Sequence, residues 1–239
     1  MKKLFFIYKY FLYHLKAVNE HGVHSPFVFD LLTKVIYNRA DYYSFKKIEN
    51  LREELLDSKR TILKHIANSP KYDQLVFRLV NYFQPLHILE FGTSFGINTA
   101  YMASANSKTR VITIEGSKEI AEIAKDNFEK LELKNIELFS DKIDTCLPGI
   151  IAKIEPVDFV YFGGNHNKKY TLYRFSRCLE KVNGGSVFVF DNIYRSPEMN
   201  QAWIEIKNNN KVTVTIDLFY LGIVFFRQEQ VKQHFVIKF

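Results

Sequence analysis

The chain has 239 residues, 47% hydrophobic and 25% charged, which is enough to bury a core and form one domain with a small appendage. Its net charge of +7, from 33 basic and 26 acidic residues, permits an anionic partner without requiring one. The two cysteines, Cys146 and Cys178, belong to no CxxC or Cys/His cluster, so the sequence indicates neither a disulfide framework nor a structural zinc site. They predict a cytoplasmic protein.

The first 69 residues have helical patterns without strand alternation, broken at "NEHGVHSPF" and around "NRADYYS". The start, "MKKLFFIYKYFLYHLKA", resembles a signal peptide, but Lys9 and His14 interrupt its apolar run and no clear cleavage site follows. We therefore interpret it as an amphipathic helix. No stretch is long and apolar enough to span a bilayer, and we predict no membrane partner.

The stretch "NSPKYDQLVFRLVNYFQP" predicts a clear helix. Ser69 is a plausible N-cap, Pro70 takes the first helical position and Pro85 ends the segment. Apolar residues recur between them at helical spacing: Tyr72, Leu75, Val76, Leu79, Val80 and Phe83. This helix predicts a main domain over residues 70–239, preceded by a helical cap over residues 1–69.

Five short apolar runs follow, at residues 87–91, 110–115, 136–139, 157–162 and 186–191, and the segments between them are long enough for crossover helices. Continuous apolar strands joined by helices are typical of a parallel sheet covered on both faces. The later stretch "KVTVTIDLFYLGIVFFR" predicts two strands joined by a tight turn. The fold prediction is α/β: a doubly wound, mostly parallel seven-stranded sheet with an antiparallel edge hairpin.

Ligands bind such sheets at the carboxyl ends of the strands, so the residues that follow each strand are the candidates. The first strand runs into "ILEFGTSFGINTAYMA". Its glycines allow a close backbone approach, and the following helix offers amide groups to a negatively charged moiety. Alternatively, the glycines only form a tight strand-to-helix turn. The candidate binding residues are Glu90, Gly92, Thr93, Ser94, Gly96 and Asn98.

In "VITIEGS" the second strand ends with Glu115, and Gly116 follows it. An acidic residue at this position can accept both hydroxyls of a ribose. Taken alone, Glu115 is equally compatible with a solvent-facing strand end. The two strand ends together predict a cofactor that contains a nucleoside.

A dinucleotide would favour the pattern G-x-G-x-x-G, whereas this chain has E-x-G-x-x-x-G. Ser94 takes the middle position, and the carboxylate of Glu90 would repel a pyrophosphate. That carboxylate suits the ammonium group of a nucleoside bearing an amino acid. S-adenosylmethionine has this composition, and it is the predicted cofactor.

With these motifs, residues 70–227 resemble the class I S-adenosylmethionine-dependent methyltransferases, above all the small catechol-type O-methyltransferases. "HGVHSPFVFDL" and "AWIEIKNNNKVTVTIDLFYLGIVFFR" resemble a bacterial branch of that superfamily. The resemblance implies a Rossmann-like fold. It also implies that Glu90, Gly92, Ser94 and Asn98 hold the methionine part, that Glu115 holds the ribose, and that the turn from Asp141 to Ile143 holds the adenine.

The fourth strand departs from the metal-dependent members of this group. In those members an aspartate that binds a divalent cation ends the strand, and a lysine base follows three residues later. Here the corresponding residues are Gly163 and His166, and the remaining ligand positions carry Asp191 and Asn192. One carboxylate and one amide make a poor magnesium site, so we predict no metal.

Three interpretations of His166 stay open. His166 or Asp191 could serve as general base for an acceptor hydroxyl or amine in a metal-independent methyltransferase. The chain could instead bind the cofactor without turnover. In the third interpretation, His166 is structural and Asp191 only caps the next segment.

The predicted function is methyl transfer to a small-molecule acceptor. The alternatives are a catalytically silent cofactor-binding protein and, behind it, an RNA methyltransferase that uses a basic block; a dinucleotide-dependent oxidoreductase ranks last. The block comprises Lys168, Lys169, Arg174, Arg177 and Lys181. Aromatic residues of the cap could line an acceptor pocket or only pack: Phe27, Phe29, Tyr42 and Tyr43. A homodimer stays open.

Overall fold

The computed structural model describes residues 2–58, 69–154, 156–164 and 166–239. The chain divides into two compact units. The central unit is Lys34–Cys146, and the terminal unit combines Met1–Thr33 with Leu147–Phe239. The predicted boundary between residues 69 and 70 stays a prediction.

Helices and strands alternate after the first three helices. The helices are α1 (Lys2–Lys16), α2 (Pro26–Leu31), α3 (Tyr43–Ser58), α4 (Pro70–Phe83), α5 (Ile97–Ala105), α6 (Lys118–Lys130), α7 (Ile143–Lys153), α8 (Lys168–Cys178) and α9 (Pro197–Asn208). A π-helical turn, Leu32–Ile36, continues α2. The strands are β1 (His87–Phe91), β2 (Arg110–Glu115), β3 (Ile136–Ser140), β4 (Phe159–Phe162), β5 (Val187–Asp191), β6 (Val214–Asp217), β7 (Leu221–Phe225) and β8 (Gln233–Val236).

In the central unit the strand order is β3–β2–β1, and both pairings are parallel. Phe91 is opposite Ile114, and Glu115 is opposite Ser140. The carboxyl ends of the three strands therefore lie at one edge of the sheet. This confirms the parallel arrangement predicted from the continuous apolar runs.

In the terminal unit the order is β4–β5–β7–β6–β8. The pairs β4–β5 and β6–β8 are parallel, whereas β7 pairs antiparallel with both β5 and β6. The predicted antiparallel hairpin is thus confirmed, but the strand count differs, since the described residues form eight strands rather than seven. The additional strand, β8, has only four residues, too few for a clear strand pattern in the sequence. Its backbone pairing with β6 defines it as a strand.

The predicted helix after Ser69 is confirmed as α4. It begins at Pro70 and ends at Phe83, where Gln84 adopts a left-handed conformation with φ 48°. Its apolar face is buried. Residues 59–68 of the predicted cap lie outside the described part of the chain.

Aromatic side chains fill both cores. In the central unit, Phe45 meets the rings of Phe77 and Tyr101 at centroid distances of 4.9 and 5.3 Å. In the terminal unit, Phe162 and Phe190 on β4 and β5 stack at 4.1 Å. Both cysteines are free thiols. None of the helices in the described ranges has the length and apolar character needed to cross a membrane.

Candidate functional site

The loop between β1 and α5 has an unusual backbone. Gly92, Ser94 and Gly96 have positive φ angles of 92°, 52° and 82°. A Cβ atom on Gly96 would lie 2.4 Å from the ring of Phe128, so only glycine fits there without displacement. The loop therefore turns sharply against the sheet edge where β1, β2 and β3 end.

The carboxylate of Glu115 ties the ends of β1 and β2 together. Its Oε2 accepts the Ser94 backbone N–H at 2.9 Å, and its Oε1 accepts the Ser117 backbone N–H at 3.0 Å. A carboxylate oxygen has more than one acceptor site, so each oxygen can still accept a second hydrogen bond. Gly116 beside it is exposed and has open space where a side chain would begin. Glu115 is thus a fixed acceptor of the kind that two adjacent hydroxyls require.

Glu90 lies fully buried under this loop. Its Oε2 accepts hydrogen bonds from Thr99 and, at 2.7 Å, from Thr113, while its Oε1 accepts the Asn98 side-chain amide at 3.0 Å. Burial raises the pKa of Glu90 to about 7, although these three hydrogen bonds oppose the rise. Both oxygens of Glu90 therefore already accept hydrogen bonds from side chains of the protein. The contact of Glu90 with a methionine ammonium stays a prediction.

Asn98 is the member of this group with spare capacity. Its Nδ2 is used by Glu90, whereas its Oδ1 is buried and accepts no hydrogen bond from the part of the chain that the structure describes. Such an atom is costly to bury without a partner. Asn98 is therefore well suited to accept a hydrogen bond from a cationic ligand group. Thr93, which was also predicted, is buried, and a 2.6 Å hydrogen bond joins its hydroxyl to that of Thr113.

The predicted adenine turn follows β3 at the same edge. Asp141 is exposed and its Oδ1 accepts the backbone N–H of Lys142 at 2.6 Å. Ile143 is half-buried and begins α7. The structure therefore brings all ten predicted cofactor residues to the carboxyl edge of the three-stranded sheet in the central unit.

The terminal unit carries the predicted catalytic pair. Asp191 is the last residue of β5, and His166 follows the end of β4, to which β5 is paired. His166 Nε2 lies 3.7 Å from Asp191 Oδ2, and both side chains are about 90% buried. Burial and the nearby positive charge of Arg195 lower the pKa of His166 to about 4, so its imidazole is neutral at pH 7.

The residues at this edge do not fit a divalent cation of the kind found in the metal-dependent members. Gly163 offers no side chain, and Asn192 directs its amide nitrogen to Asp191 Oδ2 at 2.8 Å. No group of three or more His, Cys, Asp or Glu residues within the described ranges could hold a metal ion. A magnesium ion needs several oxygen ligands in octahedral geometry, which this donor set does not supply.

Three residues of the basic block, all on α8, make contacts within the protein. Lys168 pairs with Glu205 at 2.6 Å, and Arg177 pairs with Glu180 at 2.6 Å. Arg174 is buried beside the ring of Tyr170. These contacts describe a compensated helix face rather than an open cationic surface.

The aromatic residues of the predicted cap have separate environments. Tyr42 packs against the central core, and Phe27 packs edge-on against Phe225 at 5.0 Å. Phe29 and Tyr43 are exposed, at 42% and 85%. In the part of the chain described, they do not form one cluster.

Sequence reasoning missed four residues that organise these sites. Thr99 and Thr113 hold Glu90, Ser117 holds Glu115, and Arg195 acts on His166. Thr113 carried a signal, since it is a polar residue in the middle of the buried run "VITIE". Arg195 carried none, because it lies 29 residues from His166 in sequence.

A glycine-rich turn after β1, a fixed carboxylate at the end of β2 and a parallel strand order are typical of α/β domains that bind nucleosides. Residues 89–193 match the family model described as a methyltransferase domain. The resemblance to class I methyltransferases predicted from the sequence is thereby confirmed.

Individual relatives agree with this match. The chain is 26% identical over 167 residues to a catechol O-methyltransferase from Niastella koreensis, covering 67% of this chain and 75% of the relative. It also resembles the solved structure of a Bacillus cereus O-methyltransferase in complex with S-adenosylhomocysteine, with TM-score 0.62, 21% identity and 79% and 93% coverage of the two chains. The S-adenosylmethionine complex of the Streptomyces achromogenes O-methyltransferase TomG gives TM-score 0.63, 20% identity and coverage of 79% and 91%. These likenesses confirm the Rossmann-like fold.

Proposed function

We propose that this protein transfers a methyl group from S-adenosylmethionine to a hydroxyl group of a small molecule, without a divalent metal. The observation that carries the cofactor assignment is the Glu115 carboxylate, which two backbone N–H groups hold in place at the end of β2. The same edge of the central unit carries the Gly92–Gly96 loop, the Asn98 acceptor and the Asp141–Ile143 turn. We assign the ribose to Glu115, the methionine part to the loop with Glu90 and Asn98, and the adenine to the turn.

The loop chemistry disfavours a dinucleotide. A pyrophosphate would need free backbone N–H groups in the β1 loop. The Ser94 N–H instead donates to Glu115, which brings a negative charge to the loop. A cationic amino-acid end is attracted where a pyrophosphate is repelled.

Bound S-adenosylmethionine supplies a methyl group on an already activated sulfonium, so alignment of the acceptor provides much of the rate. Held by the residues assigned above, the cofactor would supply its methyl group to the acceptor oxygen and would leave as S-adenosylhomocysteine. The acceptor's proton must then leave. We assign it to His166, whose neutral imidazole can accept it.

A histidine with a pKa near 4 is a weak base, and this limits the timing of proton transfer. It cannot deprotonate a neutral phenol in advance, since the phenol holds its proton far more strongly. As the oxygen–carbon bond forms, the acceptor oxygen becomes strongly acidic, so even a weak base can take the proton in the same step. Asp191 Oδ2, 3.7 Å away, then stabilises the imidazolium.

The first experiment is a calorimetric titration with S-adenosylhomocysteine, with NADH as the control ligand. Binding of the first alone supports the cofactor assignment, and binding of NADH alone overturns it. Production of S-adenosylhomocysteine should then be measured with a panel of phenolic acceptors, with Mg²⁺ and with EDTA. Turnover unaffected by EDTA supports the proposal, whereas no turnover with any acceptor favours the silent cofactor-binding protein.

Glu115→Ala tests the assignment at one residue. Loss of hydrogen bonds between a charged acceptor and the ribose should weaken S-adenosylhomocysteine binding by about 1 to 3 kcal/mol. Glu115→Gln is the matched variant, because it keeps the size of the side chain but exchanges one acceptor oxygen for a donor. Affinity equal to that of the unmodified protein in both variants would remove Glu115 from the site.

An RNA substrate is the second candidate, and the compensated charges of α8 speak against it. We further propose that the protein works in the cytoplasm. Its assembly state is best measured by light scattering, which distinguishes a monomer from a homodimer.

A further inference from the structure

Helix α1 has two apolar faces, of which only one is covered. On the inner face, Phe6, Tyr10 and Tyr13 surround the ring of Phe219 at centroid distances of 5.0 to 5.4 Å. The Tyr13 hydroxyl donates to the Ile237 carbonyl, and Ala17 is buried beyond the end of the helix. These contacts anchor α1 within the terminal unit and fix which side of it faces outward.

The outer face exposes five large apolar side chains in a row. They are Leu4 at 73%, Ile7 at 55%, Tyr8 at 57%, Phe11 at 62% and Leu15 at 68% exposure. Their spacings of three and four residues place them on one side of the helix. A contiguous apolar surface of this kind marks an interaction site, unlike scattered single residues.

The charges of α1 select the kind of partner. The helix contains Lys2, Lys3, Lys9 and Lys16 and no acidic residue. The spacing of Lys3 and Lys16 from the exposed row places them on opposite flanks of it. Two copies of this face would bring four flanking lysines together and repel each other. A surface with negative charges outside and an apolar interior beneath them matches both the lysines and the exposed apolar row.

We propose that α1 is an interfacial helix that binds the protein to an anionic membrane surface. The exposed apolar row enters the boundary between headgroups and acyl chains, and the flanking Lys3 and Lys16 contact anionic headgroups. At 15 residues, the helix is about 22 Å long and lies along the surface instead of crossing it. The sequence predicted no membrane partner because no segment can span, and attachment at the surface is a different mode.

The test is vesicle flotation of the full-length protein. One set of vesicles contains equal parts of phosphatidylglycerol and phosphatidylcholine, and the other contains phosphatidylcholine alone. We expect binding to the anionic vesicles that weakens as salt is added. The variant Phe11→Ser/Leu15→Ser should reduce binding at least about tenfold. Lys3→Gln/Lys16→Gln should reduce it by about fivefold for each lysine.

Val231→Ser is the matched control, since Val231 is 73% exposed in the same unit but lies outside α1. It should leave vesicle binding unchanged. All substituted side chains are exposed, so the thermal midpoint of each variant should match that of the unmodified protein. Circular dichroism checks this.

Three results would overturn the proposal. One is no flotation with anionic vesicles, and another is equal flotation with both lipid sets. The third is a homodimer in light scattering that Phe11→Ser/Leu15→Ser converts to a monomer without a change in vesicle binding, which would make this face a self-interface. None of these results depends on methyl transfer, because S-adenosylhomocysteine binding is measured separately.

Discussion

Replacing Glu90 with glutamine should change how the stability of this protein depends on pH. The Glu90 carboxyl is fully buried, and burial raises its pKa from 4.5 to about 7. Between these two values the folded protein keeps a proton that the unfolded chain has released. Stability therefore falls as pH rises through this window.

The size of the effect follows from the difference between the two pKa values. Each pKa unit corresponds to about 1.4 kcal/mol, so Glu90 should cost the folded state about 3 kcal/mol between pH 4.5 and pH 7.5. Glutamine at position 90 has nearly the same shape and no charge. The hydroxyls of Thr99 and Thr113 can rotate to serve either an oxygen or a nitrogen of its amide.

The assay is urea unfolding of the two proteins at pH 5 and pH 8. We expect Glu90→Gln to be close to the unmodified protein at pH 5 and about 3 kcal/mol more stable relative to it at pH 8. Glu54→Gln is the control, because Glu54 is exposed on α3 and does not touch the buried network. Identical pH dependence in Glu90→Gln and the unmodified protein would refute the reasoning that burial dominates at this carboxyl.

Three further substitutions test other parts of the argument. With His166 as the base, the acid limb of kcat should lie near pH 4, because burial and Arg195 lower the pKa of His166. His166→Gln should lower kcat by about 100-fold or more and remove that limb. If the limb persists in the variant, it belongs to another group. Gly96→Ala should destabilise the fold by about 2 kcal/mol in urea unfolding, since it adds strain at a positive φ and a close contact with Phe128. Gly149→Ala is the control, because the added methyl group meets open space and should not destabilise the fold. Equal stabilities of the two variants would contradict the close packing of the loop. Gly163→Asp should make methyl transfer respond to Mg²⁺ if this strand end once held a metal, and rates unaffected by Mg²⁺ would show that the edge is organised differently.

Local patterns were sufficient for most of the secondary structure. The apolar runs of β1 and β2 and the capped helix α4 were predicted with bounds that agree with the structure within about two residues. These elements have strong signals because their apolar period and their Pro, Ser and Gly boundaries lie within a few residues of one another. Strand β8 had no such signal, and only its pairing with β6 defines it.

The sequence by itself also determined the candidate site chemistry: a glycine-rich turn, an acidic residue near the carboxyl end of each of two strands, and a glycine where a metal-binding aspartate was expected. The tertiary structure alone decided the states of these groups. Glu90 and Glu115 look alike in sequence, yet one is fully buried among threonines and the other is half-buried and held by backbone N–H groups. Burial and hydrogen bonding depend on residues far apart in the chain, and these set pKa values and exposed faces.

The same distinction applies to α1. Its helical period was readable from the sequence, but two of its faces are apolar, and a sequence pattern does not say which face packs inside. The contacts with Phe219 settle this, and they leave Leu4, Phe11 and Leu15 outside. A period locates side chains around a helix axis, whereas only packing against other segments fixes which of them meet water.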